Sequence, residues 1–251
     1  MSDNHKMKGS MTEGSPVKCM LAFAIPMILG NLFQQFYNLV DSMIVGKLVG
    51  ADALAAVGAS TAITMLFVMV AVGTGIGCSV VISQLFGAEK IEDMKTAIST
   101  ALLSIVVFSL ILSILGRVLS RWILMVMGTP DNIFEGAEVY LNIYFYGFFF
   151  LFLYNAFSSV FNALGDSKKP LYFLLFSSVL NIGLDLLIVG KYHWGIAGAA
   201  WATLIAQAIS AILSFCVLYN RLSRIQCGEY RRFDGEMLAS MTKVAIPTIV
   251  Q

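Results

Sequence analysis

Six long apolar segments with almost no charged residues divide this chain of 251 residues. They span residues 19–45, 53–88, 96–116, 139–165, 171–190 and 194–220, and only Asp41 and Asp185 interrupt them with a charge. Because a helix rises about 1.5 Å per residue, about 20 apolar residues cross the hydrocarbon of a bilayer. Backbone groups in hydrocarbon must pair within their own segment, and no alternation of polar and apolar residues indicates strands. The sequence therefore predicts an all-α integral membrane protein with a bundle of six transmembrane helices, in which 53–88 is one tilted helix.

The overall composition excludes a water-soluble domain. Hydrophobic residues make up 58% of the chain and charged residues 12%, whereas soluble domains have about 25% charged residues. The net charge of +1 offers no basic surface for nucleic acid. The cysteines are scattered without CxxC spacing, at Cys19, Cys78, Cys216 and Cys227. We therefore expect no metal site, no disulfide framework and no cofactor.

The basic residues between the apolar segments predict the orientation of the chain. Three of them precede the first segment, namely Lys6, Lys8 and Lys18, and the connections at 89–95, 166–169 and 221–232 add more on the same side. The other side carries only Lys47, Arg117, Arg121 and Lys191. Because Lys and Arg are enriched on the cytoplasmic side, the N-terminus is predicted to be cytoplasmic. The first segment is longer than a signal-peptide core and lacks a cleavage pattern, so we expect it to remain uncleaved.

A short repeat at the end of the chain predicts the start of a second bundle. The sequence Ala245-Ile246-Pro247 repeats Ala24-Ile25-Pro26 and follows a basic stretch, although such apolar matches also arise by chance. We interpret 1–18 as a polar cytoplasmic N-terminus, 19–220 as a six-helix lobe, 221–238 as a cytoplasmic linker and 239–251 as the first turns of a seventh helix. A helix that short cannot cross the bilayer, so we expect the first half of a longer protein.

Polar residues recur on one face of four of the predicted helices. They are Asn31, Gln34, Gln35, Asn38 and Asp41 in the first, Asn155, Ser158, Ser159 and Asn162 in the fourth, Ser177, Asn181 and Asp185 in the fifth, and Thr203, Gln207, Ser210 and Ser214 in the sixth. Hydrogen bonding between helices is one explanation. Because polar groups are costly in lipid and these stripes include amides and carboxylates, we favour a hydrated cavity.

The two intramembrane carboxylates are predicted to lie at the same depth. Asp41 and Asp185 each precede the outer end of their segment by a few residues, about 8 Å at 1.5 Å per residue. Two carboxylates that approach each other favour binding of one proton between them. With the oxygens of Asn181 and Thr203, the pair would equally suit Na⁺. Alternatively, each Asp is simply hydrated near the membrane surface.

These residues occur in motifs that resemble those of the multidrug and toxic compound extrusion (MATE) transporters. The resemblance covers about residues 15–251. It rests on Pro26 with Gln34, on the segment from Asp41 to Gly50, on Ser83-Gln84-Leu-Phe-Gly87-Ala88, and on Asn162-Ala-Leu-Gly165-Asp-Ser-Lys-Lys-Pro170. Asn181 and Asp185 stand at the positions where one branch of the family has a cation site in its fifth helix. Residues 195–203 are similar to the start of that family's sixth helix.

The resemblance implies one lobe of a twelve-helix protein of the cell (inner) membrane. Such a protein exports amphipathic, often cationic drugs by antiport with H⁺ or Na⁺. The residues carried over as the coupling-cation site are Asp41, Asn181, Asp185 and Thr203, with Tyr140 as support for Asp41. The substrate cavity would be lined by Gln34, Tyr37, Asn155 and Ser178. The partner lobe is expected beyond Gln251 or in a second copy of the chain, and the alternative is a half-size fragment with no transport alone.

Two features of the helices allow more than one role. Pro26 is a candidate hinge, or it shapes the start of the first helix. Gly73, Gly75 and Gly77 favour close helix packing over bending. No Lys-Ser/Thr follows these glycines, so a nucleotide-driven pump is excluded.

The alternatives to a drug exporter are a flippase for lipid-linked saccharides, a passive channel and a structural membrane protein. No arrangement of catalytic residues in the sequence indicates an enzyme.

Overall fold

The computed structural model describes residues 15–225 and 228–250. Within these ranges the chain forms α1 (Pro16–Leu48), α2 (Ala51–Gly87), α3 (Ile91–Val126), α4 (Asp131–Ala163), α5 (Lys168–Asp185), α6 (Gly195–Ser223) and α7 (Gly235–Val250). Six of the helices are long and apolar enough to cross a membrane, α5 being extended to Lys191 for this purpose. The predicted all-α bundle with six spans is confirmed. The predictions for Lys6, Lys8, Cys227 and Gln251 lie outside the described residues.

Several helices extend beyond the apolar segments because charged side chains are tolerated at their ends. In α3, Arg117 lies over the ring of Tyr146 at 4.4 Å, and the Arg121 guanidinium pairs with Glu138 at 3.2 Å. Long basic side chains can leave their charge at the membrane surface while their stems cover apolar atoms. The length of an uncharged run therefore underestimates the length of the helix.

The seventh helix begins earlier than its predicted start at residue 239. Asp234 caps it, since its Oδ1 accepts hydrogen bonds from the backbone N–H groups of Glu236 at 2.9 Å and Met237 at 3.2 Å. An Asp in this position satisfies backbone donors that have no partner within the helix. The connection between α6 and α7 thus comprises residues 224–234, which we call the α6–α7 linker.

Consecutive long helices joined by short turns run in alternating directions. One end of the bundle therefore carries the turns that follow α2 and α4 and the α6–α7 linker. We call it the basic end, because it holds Lys90, Lys168, Lys169, Arg221, Arg224, Arg231 and Arg232.

The α4–α5 turn at the basic end is fixed to α6. Gly165 adopts φ 77°, and the N–H of Asp166 donates to the Phe161 carbonyl at 2.9 Å, as in a Schellman motif. The Asp166 carboxylate then receives the Arg221 guanidinium at 2.9 Å and the Lys169 ammonium at 3.2 Å. The turn that the sequence singled out as a motif therefore holds three helices together.

Helix α4 forms the centre of the bundle, where it packs against α2, α3 and α6. Its aromatic side chains make up much of the core. The ring of Phe67 from α2 lies 5.1 Å from both Phe145 and Phe148, edge on, and Phe148 lies 4.7 Å from Phe152. Such edge-to-face pairs add to the stability that burial provides.

The three glycines of α2 allow close approach to two different helices. A Cβ on Gly77 would lie 2.6 Å from the Ala245 Cβ of α7, and one on Gly73 would overlap the side chain of Ile249. On the neighbouring face, a Cβ on Gly75 would overlap the Ser159 hydroxyl of α4. The predicted role of these glycines in helix packing is confirmed.

Candidate functional site

Four polar side chains from three helices come together toward the end of the bundle opposite the basic end. They are Asp41 of α1, Asn181 and Asp185 of α5, and Thr203 of α6, with exposed fractions of 8%, 1%, 0% and 7%. Asp41 lies seven residues before the end of α1, which is about 10 Å along the helix. All four side chains are therefore buried within the bundle, which argues against the alternative that each carboxylate is simply hydrated at the surface.

The side chains of this cluster contact one another directly. The Asn181 amide donates a hydrogen bond to the Thr203 hydroxyl at 3.2 Å. The carboxyl groups of Asp41 and Asp185 lie within hydrogen-bonding reach of each other when one is protonated. The cluster thus joins α1 to α5 and α5 to α6.

Several oxygen atoms of the cluster have no hydrogen-bond partner among the described residues. They are Oδ1 of Asp41, Oδ1 of Asn181, and both Oδ1 and Oδ2 of Asp185. Buried carboxylate oxygens without a partner are costly, and two neighbouring carboxylates also repel each other. A proton shared by the pair, or a hard cation that accepts oxygen ligands, would remove both costs. The residues present therefore fit H⁺ or Na⁺.

Three tyrosines surround the cluster. Tyr37 lies one turn before Asp41, and its hydroxyl is beside that of Thr203. Tyr140 of α4 is 7% exposed, lies near Asp41 and stacks on Tyr144 with ring centroids 6.3 Å apart. The proximity of Tyr140 to Asp41 agrees with the support expected of it, and a hydrogen bond between them stays a prediction. Tyr144 was not among the predicted residues, although its spacing of four from Tyr140 places both rings on one helix face.

The backbone changes its helical form immediately after Asp185. Residues Leu186–Lys191 form a π-helix, which follows α5 directly. π-helical turns occur frequently at functional sites, because they change the direction of the side chains around them. This turn was not predicted, since no residue type or spacing in the sequence distinguishes it from an α-helix.

The predicted cavity residues lie in different environments. Gln34 is exposed and Tyr37 half-buried on α1, whereas Asn155 and Ser178 are half-buried and donate to carbonyl groups of their own helices, those of Leu151 at 2.9 Å and Leu174 at 2.8 Å. Gln34 and Tyr37 lie on the face of α1 that leads to Asp41. A cavity lined by all four residues stays a prediction.

The polar stripes of the other helices are buried or half-buried. Ser210 and Ser214 of α6 are 1% and 0% exposed, and their hydroxyls have no partner among the described residues. Ser159 of α4 packs at the α2 interface beside Gly75. The stripe on α1 is the exception, since Asn31, Gln34, Gln35 and Asn38 are all exposed.

Pro26 is buried in the interior of α1, ten residues after the helix begins. Because the helix starts at Pro16, Pro26 does not shape its start, and that alternative is wrong. The proline ring leaves the carbonyl of Ala22 without its usual helical partner. One turn later, Gly30 faces Leu171 and Leu174 of α5. The turn of α1 that lacks a backbone hydrogen bond therefore lies next to the contact between α1 and α5.

Comparison with known proteins yields one family and a consistent set of structures. The MatE family model matches residues 26–187. Two proteins of Bacillus subtilis described as probable multidrug resistance proteins match: YoeA is 32% identical over 93% of this chain and 52% of its own length, and YpnP 33% over 96% and 54%. The multidrug export protein MepA of Staphylococcus aureus is 25% identical over 95% of this chain and 53% of its own length.

Solved transporter structures share the fold. A MOP superfamily transporter from Pyrococcus furiosus matches with a TM-score of 0.88 and 26% identity over 97% of this chain and 54% of that one. An outward-facing multidrug resistance MATE transporter matches with a TM-score of 0.87 and 25% identity over 94% and 53%. The chain spans about half the length of the relatives that it matches.

Proposed function

The chain belongs to the MatE family, and from this premise we propose that it acts in secondary active multidrug efflux, with export of amphipathic or cationic compounds in exchange for H⁺ or Na⁺. One observation carries the coupling: Asp41 and Asp185 are in contact, are buried, and have oxygens without partners. The names of the relatives YoeA, YpnP and MepA support drug export. The protein is a multi-pass membrane protein, and we place it in the cell membrane with a cytoplasmic N-terminus, because the basic end would then face the cytoplasm.

In this proposal the bound cation controls the contact between α1 and α5. When the pair holds one proton or one Na⁺, Asp41 and Asp185 stabilise close packing of the two helices. When the pair holds neither, two buried negative charges repel each other, and α1 is driven away from α5 or toward water. Asn181 and Thr203 supply neutral oxygens and fix the position of Asp185 relative to α6. Cation binding thereby changes the relative stability of two arrangements of α1, as coupling requires.

Pro26 provides a place at which α1 can respond. The helix lacks one backbone hydrogen bond there, so bending at this point costs less than elsewhere. Two MATE structures similar to this chain are described as a bent and a straight conformation. We infer that α1 bends at Pro26 when the state of the Asp41–Asp185 pair changes.

The exposed face of α1 is the proposed route of the substrate. Gln34 and Tyr37 lie on this face, which leads to Asp41, and Asn155 and Ser178 complete the proposed lining from α4 and α5. No Lys or Arg side chain is fully buried in the part of the chain that the structure describes. A lining without fixed positive charge suits cationic or neutral compounds and does not favour the pyrophosphate of a lipid-linked saccharide.

A second six-helix unit is the proposed partner of this lobe. The matched relatives are about twice as long as this chain, so we infer that their remaining half supplies such a unit in the same polypeptide, and a second copy of this chain would be the alternative. Reading the gene beyond Gln251 distinguishes the two. If no further spans follow, cross-linking through a cysteine placed at the exposed Phe36 tests for a dimer.

The coupling proposal is tested by Asp41→Asn and Asp185→Asn in the protein expressed from its complete gene. We expect each variant to insert into the membrane normally and to lose drug export driven by an imposed pH or Na⁺ gradient. The control is Asp52→Asn, an exposed carboxylate in the first turn of α2, which should export at the original rate. Separate pH and Na⁺ gradients in inverted vesicles identify the coupling ion. Unchanged export by both variants would contradict the assignment.

A further inference from the structure

Helices α3 and α6 form the two sides of an apolar groove whose floor is α4. Each of them packs on α4, while the described residues of α3 and α6 make little contact with each other. On one side Phe108 of α3 lies 6.0 Å from Phe152 of α4, and on the other Phe215 of α6 lies 5.8 Å from Phe157. Phe108 and Phe215 are 40% and 49% exposed. The groove is therefore open at the surface of this lobe.

At the basic end the groove opens into a cavity of about 360 Å³. Three aliphatic side chains continue the apolar wall of the groove into it. Its polar lining comprises Lys95 and Ser99 of α3, Tyr219 and Ser223 of α6, and Tyr230 of the α6–α7 linker. The cavity is thus apolar toward the groove and carries hydroxyl and ammonium groups as well.

Among the described residues that line the cavity, Lys95 alone is charged. Its ammonium donates to the Ile225 carbonyl at 2.7 Å and lies 5.7 Å from the centre of the Tyr230 ring. An ammonium has three N–H donors, so two remain for a ligand. Around the cavity the linker adds the exposed Arg224, Arg232 and Glu229, while Arg231 lies 3.7 Å from the Asp234 carboxylate. The preference for an anion therefore rests on the Lys95 ammonium, which lines the cavity itself.

The wall that carries Tyr230 is held in place by α3. The Ser99 hydroxyl donates to the Arg232 carbonyl at 2.7 Å, and the backbone N–H groups of Arg231 and Asp234 donate to the hydroxyls of Thr96 at 3.2 Å and Thr100 at 3.0 Å. These hydrogen bonds fix the linker across the end of the groove. The cavity is therefore formed before any ligand arrives, which lowers the cost of binding.

We propose that this cavity binds the phosphate headgroup of an anionic phospholipid, with an acyl chain of that lipid in the α3–α6 groove. The Lys95 ammonium contacts the phosphate, the Tyr219 hydroxyl donates to a headgroup oxygen, and Phe108 and Phe215 contact the chain. Basic pockets between helices at the cytoplasmic membrane surface are known to suit such headgroups. The proposal is independent of the transported compound and of the coupling ion.

The test measures binding of dioctanoyl phosphatidylglycerol to the detergent-purified protein, expressed from its complete gene, by native mass spectrometry. Dioctanoyl phosphatidylcholine provides the comparison without net charge, and glycerol phosphate the comparison without acyl chains. We expect phosphatidylglycerol to bind at least about fivefold more tightly than either, because both the charge and the groove contribute. Equal binding of the two lipids, or equal binding of glycerol phosphate, overturns the proposal.

Variants locate the site. We expect Lys95→Gln to weaken phosphatidylglycerol binding about fivefold to tenfold and Lys95→Arg to restore it, because a single charge near an anionic headgroup contributes about that factor. Ser223→Glu places a carboxylate at an exposed position of the lining and should weaken binding similarly without disturbing the linker. The control is Lys90→Gln, an exposed lysine at the same end that does not line the cavity. If Lys90→Gln weakens binding as much as Lys95→Gln and Ser223→Glu do, the lipid binds to the basic surface in general, and the proposed site is wrong.

Discussion

Replacement of Gly77 by alanine should loosen the contact between α2 and α7. The added Cβ would lie 2.6 Å from the Ala245 Cβ, 2.7 Å from the Met241 carbonyl oxygen and 2.9 Å from the Ala245 Cα. Carbon atoms in contact are normally about 3.5–4.0 Å apart, so α7 must move away by about 1 Å. Two of the three atoms are backbone and the third is a Cβ, and no side-chain rotation relieves the overlap.

The effect of Gly77→Ala on the free energy of unfolding follows from two opposing contributions. Overpacking of a well-packed contact costs about 1–3 kcal/mol. Alanine is favoured over glycine within a helix by about 1 kcal/mol, which offsets part of that cost. The matched control is Gly58→Ala, also within α2, where an added Cβ meets no atom within 4 Å. We therefore expect Gly77→Ala to be less stable than Gly58→Ala by about 1–3 kcal/mol.

Hydrogen exchange of the α7 amides is the local measurement, and thermal unfolding in detergent gives the overall stability. Exchange in residues 238–249 should become faster in Gly77→Ala and stay unchanged in Gly58→Ala. Gly73→Ala should have a smaller effect, because its main overlap is with the flexible side chain of Ile249. Equal α7 exchange in the Gly77 and Gly58 variants would refute the packing argument.

Two further predictions concern the ends of the bundle and the polar cluster. Arg221→Ala removes the ion pair with Asp166 at 2.9 Å, in which both side chains are 25% exposed, and should lower the free energy of unfolding by about 1–2 kcal/mol. Arg121→Ala removes a pair in which the arginine is 67% exposed and should cost less than about 1 kcal/mol, so equal shifts in melting temperature would contradict the difference in burial. Thr203→Val leaves the Asn181 amide without its partner at 3.2 Å and should raise the ion concentration needed for half-maximal drug export, while an unchanged ion dependence would remove Thr203 from the proposed site.

Much of the candidate site was predictable, because the level of each residue in the membrane follows from its position along its helix. Asp41 and Asp185 both lie near the C-terminal ends of their spans, and α1 and α5 run in the same direction, so the two residues are at the same level in the membrane. Asn181 precedes Asp185 by one turn and therefore shares its face. Contact between the two carboxylates also depends on the rotation of α1 and α5 about their axes. Their sequences restrict that rotation without determining it.

The polar stripes show that the sequence of one helix does not predict whether its polar face is buried. The α1 stripe is exposed up to Asp41, but Ser210 and Ser214 of α6 are enclosed, although both stripes have the same helical spacing. Spacing identifies the residues that share a face, and the neighbouring helices decide what covers that face. In the same way, the sequence by itself did not predict a role for three hydroxyl residues of α3, Thr96, Ser99 and Thr100. Their hydrogen-bond partners are backbone groups of the α6–α7 linker, more than a hundred residues later in the chain.

The amino-acid sequence by itself determined that this chain is a bundle of six membrane-spanning helices, since hydrocarbon admits only long apolar segments that pair their own backbone groups. It also identified the two intramembrane carboxylates, Asp41 and Asp185, because a charged group is costly in lipid and therefore conspicuous. Only the tertiary structure decided that α7 packs against Gly77 while α4 packs against Gly75. It also decided that a π-helical turn follows Asp185 and that α3 and α6 leave a groove between them. These features depend on the tilt and rotation of whole helices, which are set by side chains far apart in the sequence that pack together only in the folded bundle.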